Sequence, residues 1–130
     1  MDFYPTVLDI LQIKKPKQVL DGQSLLPVLR GKTLPERPLY WHFPVYLEAY
    51  DPQTDDGRDP LFRTRPGSAI RLGNWKLHEF FEDGGLELYN LCEDISERNN
   101  LALTHPQQVK KLQGYLNHWR NQTQAPIPYG

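Results

Sequence analysis

Four arginines, Arg58, Arg63, Arg65 and Arg71, fall close together in the middle of the chain. Guanidinium groups are planar forks that hold sulfate, phosphate or carboxylate through paired hydrogen bonds. An anion site is therefore the first chemistry this spacing suggests. Asp55, Asp56 and Asp59 stand among the arginines, so a mutually neutralised, solvated loop is the competing reading. Arg65-Pro66-Gly67 is favoured for function, because the Pro and the Gly fix how the backbone enters the next strand. His42 adjoins Pro44 at the mouth of the same segment, on the solvent or cleft side of its strand if Trp41 and Phe43 face the core. An imidazole there can donate to an anionic or hydroxyl-bearing ligand; a plain surface histidine is the alternative. Tyr46 and Tyr50 offer rings either to a sugar or to the core. The candidate substrate-binding residues are His42, Arg63, Arg65 and Arg71.

Nothing else in the chain carries a strong catalytic signature. Cys92, the one cysteine, lies between Leu91 and Glu93 with no base beside it. It is expected to be a small, partly buried residue at a strand end, since thiol activation needs an electropositive setting. A single cysteine excludes an internal disulfide and a multi-cysteine metal site. His42, His78, His105 and His118 lack metal-ligand spacing, and Gly84-Gly85 reads as a turn. No catalytic residue and no metal ligand is expected in this chain.

These side chains must be positioned by an α+β domain. Asp2 is expected to cap a first helix carrying Phe3, Val7, Ile10 and Leu11 on one face at helical spacing, ended by Lys14-Lys15-Pro16. A second short helix is expected over Leu25–Arg30, with Ser24 as cap and Gly31 as stop. Leu39, Trp41 and Phe43 alternate with Tyr40 and His42, the period of a strand, and Pro44 stops it. Residues 45–67 read as a long loop, of a length that is functional or disordered in a compact domain. Strands follow over Ser68–Leu72, Trp75–Phe81 and Leu86–Leu91. Gly73-Asn74 between the first two suits a type II′ hairpin turn. A capping box from Thr104 to Gln107 opens a last helix with Val109, Leu112, Leu116 and Trp119 on one stripe. The whole predicts a four-stranded antiparallel sheet packed against a C-terminal helix, with short N-terminal helices, a long loop and an extended tail over 125–130.

The bulk composition agrees. At 130 residues, 38% apolar and 12% aromatic, the chain can bury a core. A net charge of −1 lacks the basicity of a nucleic-acid binder. No apolar run approaches a membrane span, and the start Met1-Asp2-Phe3-Tyr4-Pro5 has no basic n-region of a signal peptide.

The same segments, taken in order, resemble the C-terminal region of type I sulfatases of the alkaline-phosphatase superfamily. Asp2 to Ile10 is similar to the helix that leads into that region. Asp21-Gly22-Gln23-Ser24-Leu25-Leu26-Pro27-Val28-Leu29-Arg30-Gly31 resembles its D-G-x-S-L-L-P-x-L-x-G segment. Trp41-His42-Phe43-Pro44 and Ala69 to Leu77 resemble W-H-F-P and A-I-R-x-G-D-W-K-L. Glu87-Leu88-Tyr89-Asn90-Leu91, with Glu97 and Asn100-Leu101-Ala102, resembles E-L-Y-N-L…E…N-L-A. Asn74 stands where Asp is common and Ile95 where Pro is common.

The resemblance implies a sulfatase C-terminal subdomain over 1–130, with 1–37 a helical lead-in from a catalytic domain and 38–130 the sheet-plus-helix module. It implies sulfate ester hydrolysis by a formylglycine and a Ca²⁺ ion, both expected in an N-terminal domain that these residues do not include. The C/S-x-P-x-R motif that yields formylglycine is absent, and Glu93-Asp94-Ile95 after Cys92 excludes that residue. This chain is thus expected to give a substrate-pocket wall without the nucleophile. His42, Arg63, Arg65 and Arg71 would face a sulfated carbohydrate, with no nucleic acid and no membrane as partner. Periplasmic or secreted location, docking to the catalytic domain and self-association through the bare docking face follow from the same resemblance. A stand-alone carbohydrate- or anion-binding or interaction module without catalysis is the alternative.

Overall fold

The computed structural model describes residues 1–48, 51, 53 and 62–128. Expectations for Tyr50, Asp55, Asp56, Arg58 and Asp59 lie outside the described residues. The chain forms two compact units, Met1–Glu36 and Arg37–Gly130.

In the first unit, α1 spans Phe3–Ile10 and α2 spans Leu26–Leu29. Polar groups tie it together. Thr6 Oγ1 donates to the Asp2 carbonyl at 2.6 Å and accepts from the Leu25 N–H at 2.9 Å. Asp2 does not cap α1; its Oδ1 instead accepts from the Gln23 N–H at 3.0 Å. The side of α1 carrying Asp2 and Thr6 is thus the one turned inward, with Pro5, Thr6 and Leu8 buried. Phe3, Val7, Ile10 and Leu11, expected to share a face, are exposed. α1 also stops before Lys14, since Gln12 takes a left-handed φ of +53°. After α2, Gly31 has φ +76° and supplies the expected stop. Ser24 Oγ accepts from the Leu26 N–H at 3.2 Å.

The second unit contains β1 (Leu39–Phe43), β2 (Leu47–Glu48), β3 (Phe62–Thr64), β4 (Gly67–Leu72), β5 (Trp75–Phe80), β6 (Leu86–Asn90) and α3 (Pro106–Thr123). β1, β4, β5 and β6 form a four-stranded antiparallel sheet in the order β1-β4-β5-β6. β2 and β3 pair as a separate two-stranded ribbon, inside the stretch expected to be a loop. Gly73 at φ +60° with Asn74 at negative φ makes the tight turn between β4 and β5. That is the sign pattern of a type II′ turn. Among the described residues no helix is long and apolar enough to cross a membrane.

One sheet face is closed by α3. Ile70, Leu77 and Leu88 from the central strands meet Val109, Leu112 and Leu116 of the helix stripe. Each buried Leu or Ile contributes about 1.5–3 kcal/mol relative to exposure. Arg120 seals the helix end, donating to Glu79 on β5 at 2.7 Å and also to Asn117. Thr104 does not cap α3. Its hydroxyl donates to the Leu101 carbonyl at 3.1 Å within the preceding turn, and His105 holds the cap position.

β1 faces the opposite way from expectation. Tyr40, paired with the core residue Ile70, stacks on Trp119 of α3 at 4.9 Å and 6° between planes. Trp41 and Phe43 point to the uncovered face and are 50% and 41% exposed. Cys92 is exposed, not partly buried, because β6 ends at Asn90 and the chain turns there.

Candidate functional site: a groove on the open sheet face

Register alone fixes what the uncovered face presents. Three cross-strand rows lie side by side: Leu39–Arg71–Lys76–Tyr89, Trp41–Ala69–His78–Glu87, and Phe43–Gly67–Phe80. β4 contributes small residues, Gly67 and Ala69, between large ones on its neighbours. Strands lie about 4.8 Å apart, so Trp41 and His78 rise from backbones about 10 Å apart on either side of Ala69. The resulting groove measures about 520 Å³, within the size range of ligand pockets.

Gly67 is required here by space. A Cβ on it would lie 2.6 Å from the Glu79 carbonyl oxygen across the β4–β5 pair.

Glu97 organises the charge of this face. It reaches the groove from the turns after β6 with a left-handed φ of +55°. Its carboxylate accepts from Lys76 Nζ at 2.6 Å and from His78 Nε2 at 2.9 Å. Burial acts to raise the Glu97 carboxyl, but the hydrogen bonds and charges of Lys76 and His78 outweigh it and hold it below its ordinary value. Burial, then the Lys76 ammonium, push the His78 imidazole below its ordinary value against the opposing pull of Glu97 and Glu87. His78 is accordingly neutral at neutral pH. With an ionised carboxylate on Nε2, that nitrogen carries the proton and Nδ1 bears the lone pair.

Arg71 stands directly opposite Lys76, a like-charge pair that costs stability in an antiparallel sheet. Lys76 has Glu97. Arg71 donates Nε to the Gly73 carbonyl at 3.1 Å and, among the described residues, meets no carboxylate. Arg65 lies at the other end of the groove, its guanidinium 5.3 Å from the Phe80 ring centre. Its Nη1 donates to Glu82 at 2.9 Å, with Asp83 at 3.8 Å, and Glu82 also accepts from the Tyr46 hydroxyl.

The four expected residues therefore separate. Arg65 and Arg71 line one groove. Arg63 is exposed on β3 of the small ribbon. His42 lies on the opposite sheet face, where both ring nitrogens are taken. Nε2 is 2.8 Å from the Pro126 carbonyl and must donate to it, so Nδ1 accepts from the Ser68 hydroxyl at 2.8 Å. His42 thereby pins the C-terminal tail to β1 and β4. The expected facing fails because Trp41 and Phe43, the more apolar alternation set, are on the open side. Lys76, His78, Glu97 and Trp41 enter the site without having been singled out. For Lys76 and His78 the signal lay in the two-residue turn at Gly73-Asn74, which fixes Arg71 opposite Lys76 and Ala69 opposite His78.

The fold and the sequence together place this chain among the sulfatases. It belongs to the family described as N-sulphoglucosamine sulphohydrolase, C-terminal, which it matches over residues 1–124. It is 32% identical to a sulfatase of Formosa agariphila over 97% of its own length and 23% of that protein. It is 31% identical to the Delta 4,5-hexuronate-2-O-sulfatase of Bacteroides thetaiotaomicron over 78% of its length and 19% of that protein. The solved structure of BT4656 in complex with its substrate D-glucosamine-2-N,6-O-disulfate superposes with a TM-score of 0.66 at 26% identity, covering 93% of this chain and 23% of that one. The chain thus spans about a quarter or less of the length of these relatives.

Proposed function

We infer that this chain supplies one wall of the substrate cleft of an enzyme that hydrolyses sulfate esters of carbohydrates, while the nucleophile belongs to residues beyond these. The observation that carries the reading is family membership across residues 1–124 combined with a cationic groove end, at Arg71, that has no protein carboxylate among the described residues. Two of the relatives act on sulfated sugars by their names. Arg65 and Arg71 are the substrate-facing arginines of the expected set, and Arg63 extends the same charge along β3. His42 acts indirectly, by holding the sheet and tail together.

In such enzymes a bound Ca²⁺ would supply a Lewis acid and a formylglycine side chain, formed from a Cys or Ser, would supply the hydrated-aldehyde nucleophile. The described residues of this chain do not fit either group. Among the described residues no cluster of three or more His, Cys, Asp or Glu stands together as a metal site, and Cys92 lacks the motif that precedes its conversion. The exposed apolar face of α1 (Phe3, Val7 and Ile10) is the surface for the catalytic domain, and in isolation it promotes self-association.

Two assays test this. With 4-nitrophenyl sulfate the chain alone should release sulfate at the background rate, and measurable turnover would overturn the absence of a nucleophile. In calorimetry a sulfated glycosaminoglycan oligosaccharide should bind and its desulfated counterpart should not; equal binding of both would remove the sulfated-substrate reading.

A further inference from the structure

We propose that the groove over Gly67 and Ala69 is a single-sugar subsite, in which Trp41 stacks on a pyranose face, Arg71 holds one anionic substituent, and His78 Nδ1 accepts a hydrogen bond from a ring hydroxyl. Glu97 is the positioning residue that gives His78 this polarity. The proposal rests on the carbohydrate reading above and narrows it to named atoms.

The shape comes first. Ala69 leaves a floor between Trp41 and His78, whose strands lie two spacings, about 10 Å, apart, and the groove of about 520 Å³ admits one pyranose ring. Trp41 is half exposed on this face, and an indole in that position offers an amphipathic surface to the C–H face of a sugar.

Charge comes next. Arg65, Arg71, Lys76, Glu79 and Glu97 line the groove with a neutral His78. Three cations and two anions leave one positive charge. That balance suits a ligand bearing a single anionic group more than a neutral sugar. Arg71 uses Nε on the Gly73 carbonyl, so its two terminal nitrogens are left for an oxyanion. The like-charge juxtaposition of Arg71 and Lys76 is relieved when that anion binds.

Polarity comes last. A histidine can serve a hydroxyl as donor or as acceptor, depending on its tautomer. Glu97 removes the choice by accepting a hydrogen bond from Nε2–H at 2.9 Å. Among the described residues Nδ1 has no partner, so the groove keeps an acceptor matched to a sugar hydroxyl. Lys76, also held by Glu97 at 2.6 Å, is kept from the anion, which assigns that role to Arg71. Glu87, beside His78 in the same row, is the other carboxylate near the ring.

The test is an NMR titration of the full chain with N-acetylglucosamine 6-sulfate, with glucuronate, and with uncharged N-acetylglucosamine. The first two arms distinguish a sulfate ester from a carboxylate as the anionic group. Expected are shifts at Trp41, Ala69 and His78 with at least one anionic sugar, and affinity at least about tenfold weaker for the neutral sugar and for Arg71→Ala. Ring nitrogen shifts of His78 should report a proton on Nε2 and none on Nδ1. Glu97→Gln should relax that tautomer preference and weaken binding while leaving the amide spectrum of β4 and β5 folded. Binding with shifts centred on Arg63 or β3 would overturn the subsite and leave the sulfatase reading standing. Absence of binding by every sugar, or a His78 protonated on Nδ1, would overturn it too.

Discussion

His78 Nε2 lies 2.9 Å from the Glu97 carboxylate, although one residue sits in mid-strand and the other in a turn after the sheet has ended. That contact fixes which ring nitrogen carries the proton, while burial and the Lys76 ammonium hold His78 below its ordinary value against the pull of Glu97, and acid should reveal the shift. The folded His78 titrates below its ordinary 6.5 and Glu97 below its ordinary 4.5. The unfolded chain therefore binds protons first in both cases, and stability must fall as pH falls. Urea midpoints measured from neutral to acidic pH should drop below pH 6.5, and further below 4.5. His78→Gln should remove the first decline; a midpoint that rises on acidification contradicts the assignment.

Gly67 should tolerate no side chain. Gly67→Ala places a Cβ 2.6 Å from the Glu79 carbonyl, a backbone atom that cannot step aside. Overpacking of this kind costs about 1–3 kcal/mol, to be read from chemical denaturation. A neutral result would mean that β4 and β5 sit further apart than the pairing implies.

Arg120 and Glu79 form an ion pair at 2.7 Å with side chains 7% and 20% exposed. Arg120→Met keeps the apolar stem yet strands the Glu79 carboxylate, at a cost of about 3 kcal/mol. Adding Glu79→Gln should recover part of the loss, because the unpaired charge is then gone. Equal stability of the single and double variants would show that the two residues do not interact.

Leu112 is fully buried between α3 and the sheet. Leu112→Ala should cost about 2–5 kcal/mol by cavity formation. Trp119→Ala should lower stability as well, since it removes the ring stacked on Tyr40. Both are checked by thermal unfolding.

The bare face of α1 predicts association. Sedimentation should show concentration-dependent oligomers, and Ile10→Glu should shift them toward monomer. A monomer at all concentrations, unchanged by Ile10→Glu, would remove the docking role of that face.

Much of this fold was legible in the residues. Gly73-Asn74 fixed the β4–β5 hairpin, and the Val109, Leu112, Leu116 stripe found its place on the sheet. The facing of β1 was not legible. Alternation divides a strand into two sets but does not say which one is inside, and Trp41 and Phe43 are the more apolar. The register Tyr40↔Ile70 decides against them. Likewise Phe3, Val7 and Ile10 share one side of α1, while hydrogen bonds of Asp2 and Thr6 turn the other side inward. At the groove, Arg65 and Arg71 were visible as anion-binding types. Glu97 was not, because its reach depends on a left-handed turn that periodicity does not encode.

The most direct test of the central claim is calorimetric titration of the chain with a sulfated glycosaminoglycan tetrasaccharide and with its desulfated counterpart, at low and high salt. Binding that requires sulfate, weakens as salt rises and is lost in Arg71→Ala is the predicted result. Equal affinity for the desulfated sugar, or binding indifferent to both salt and Arg71, would contradict it.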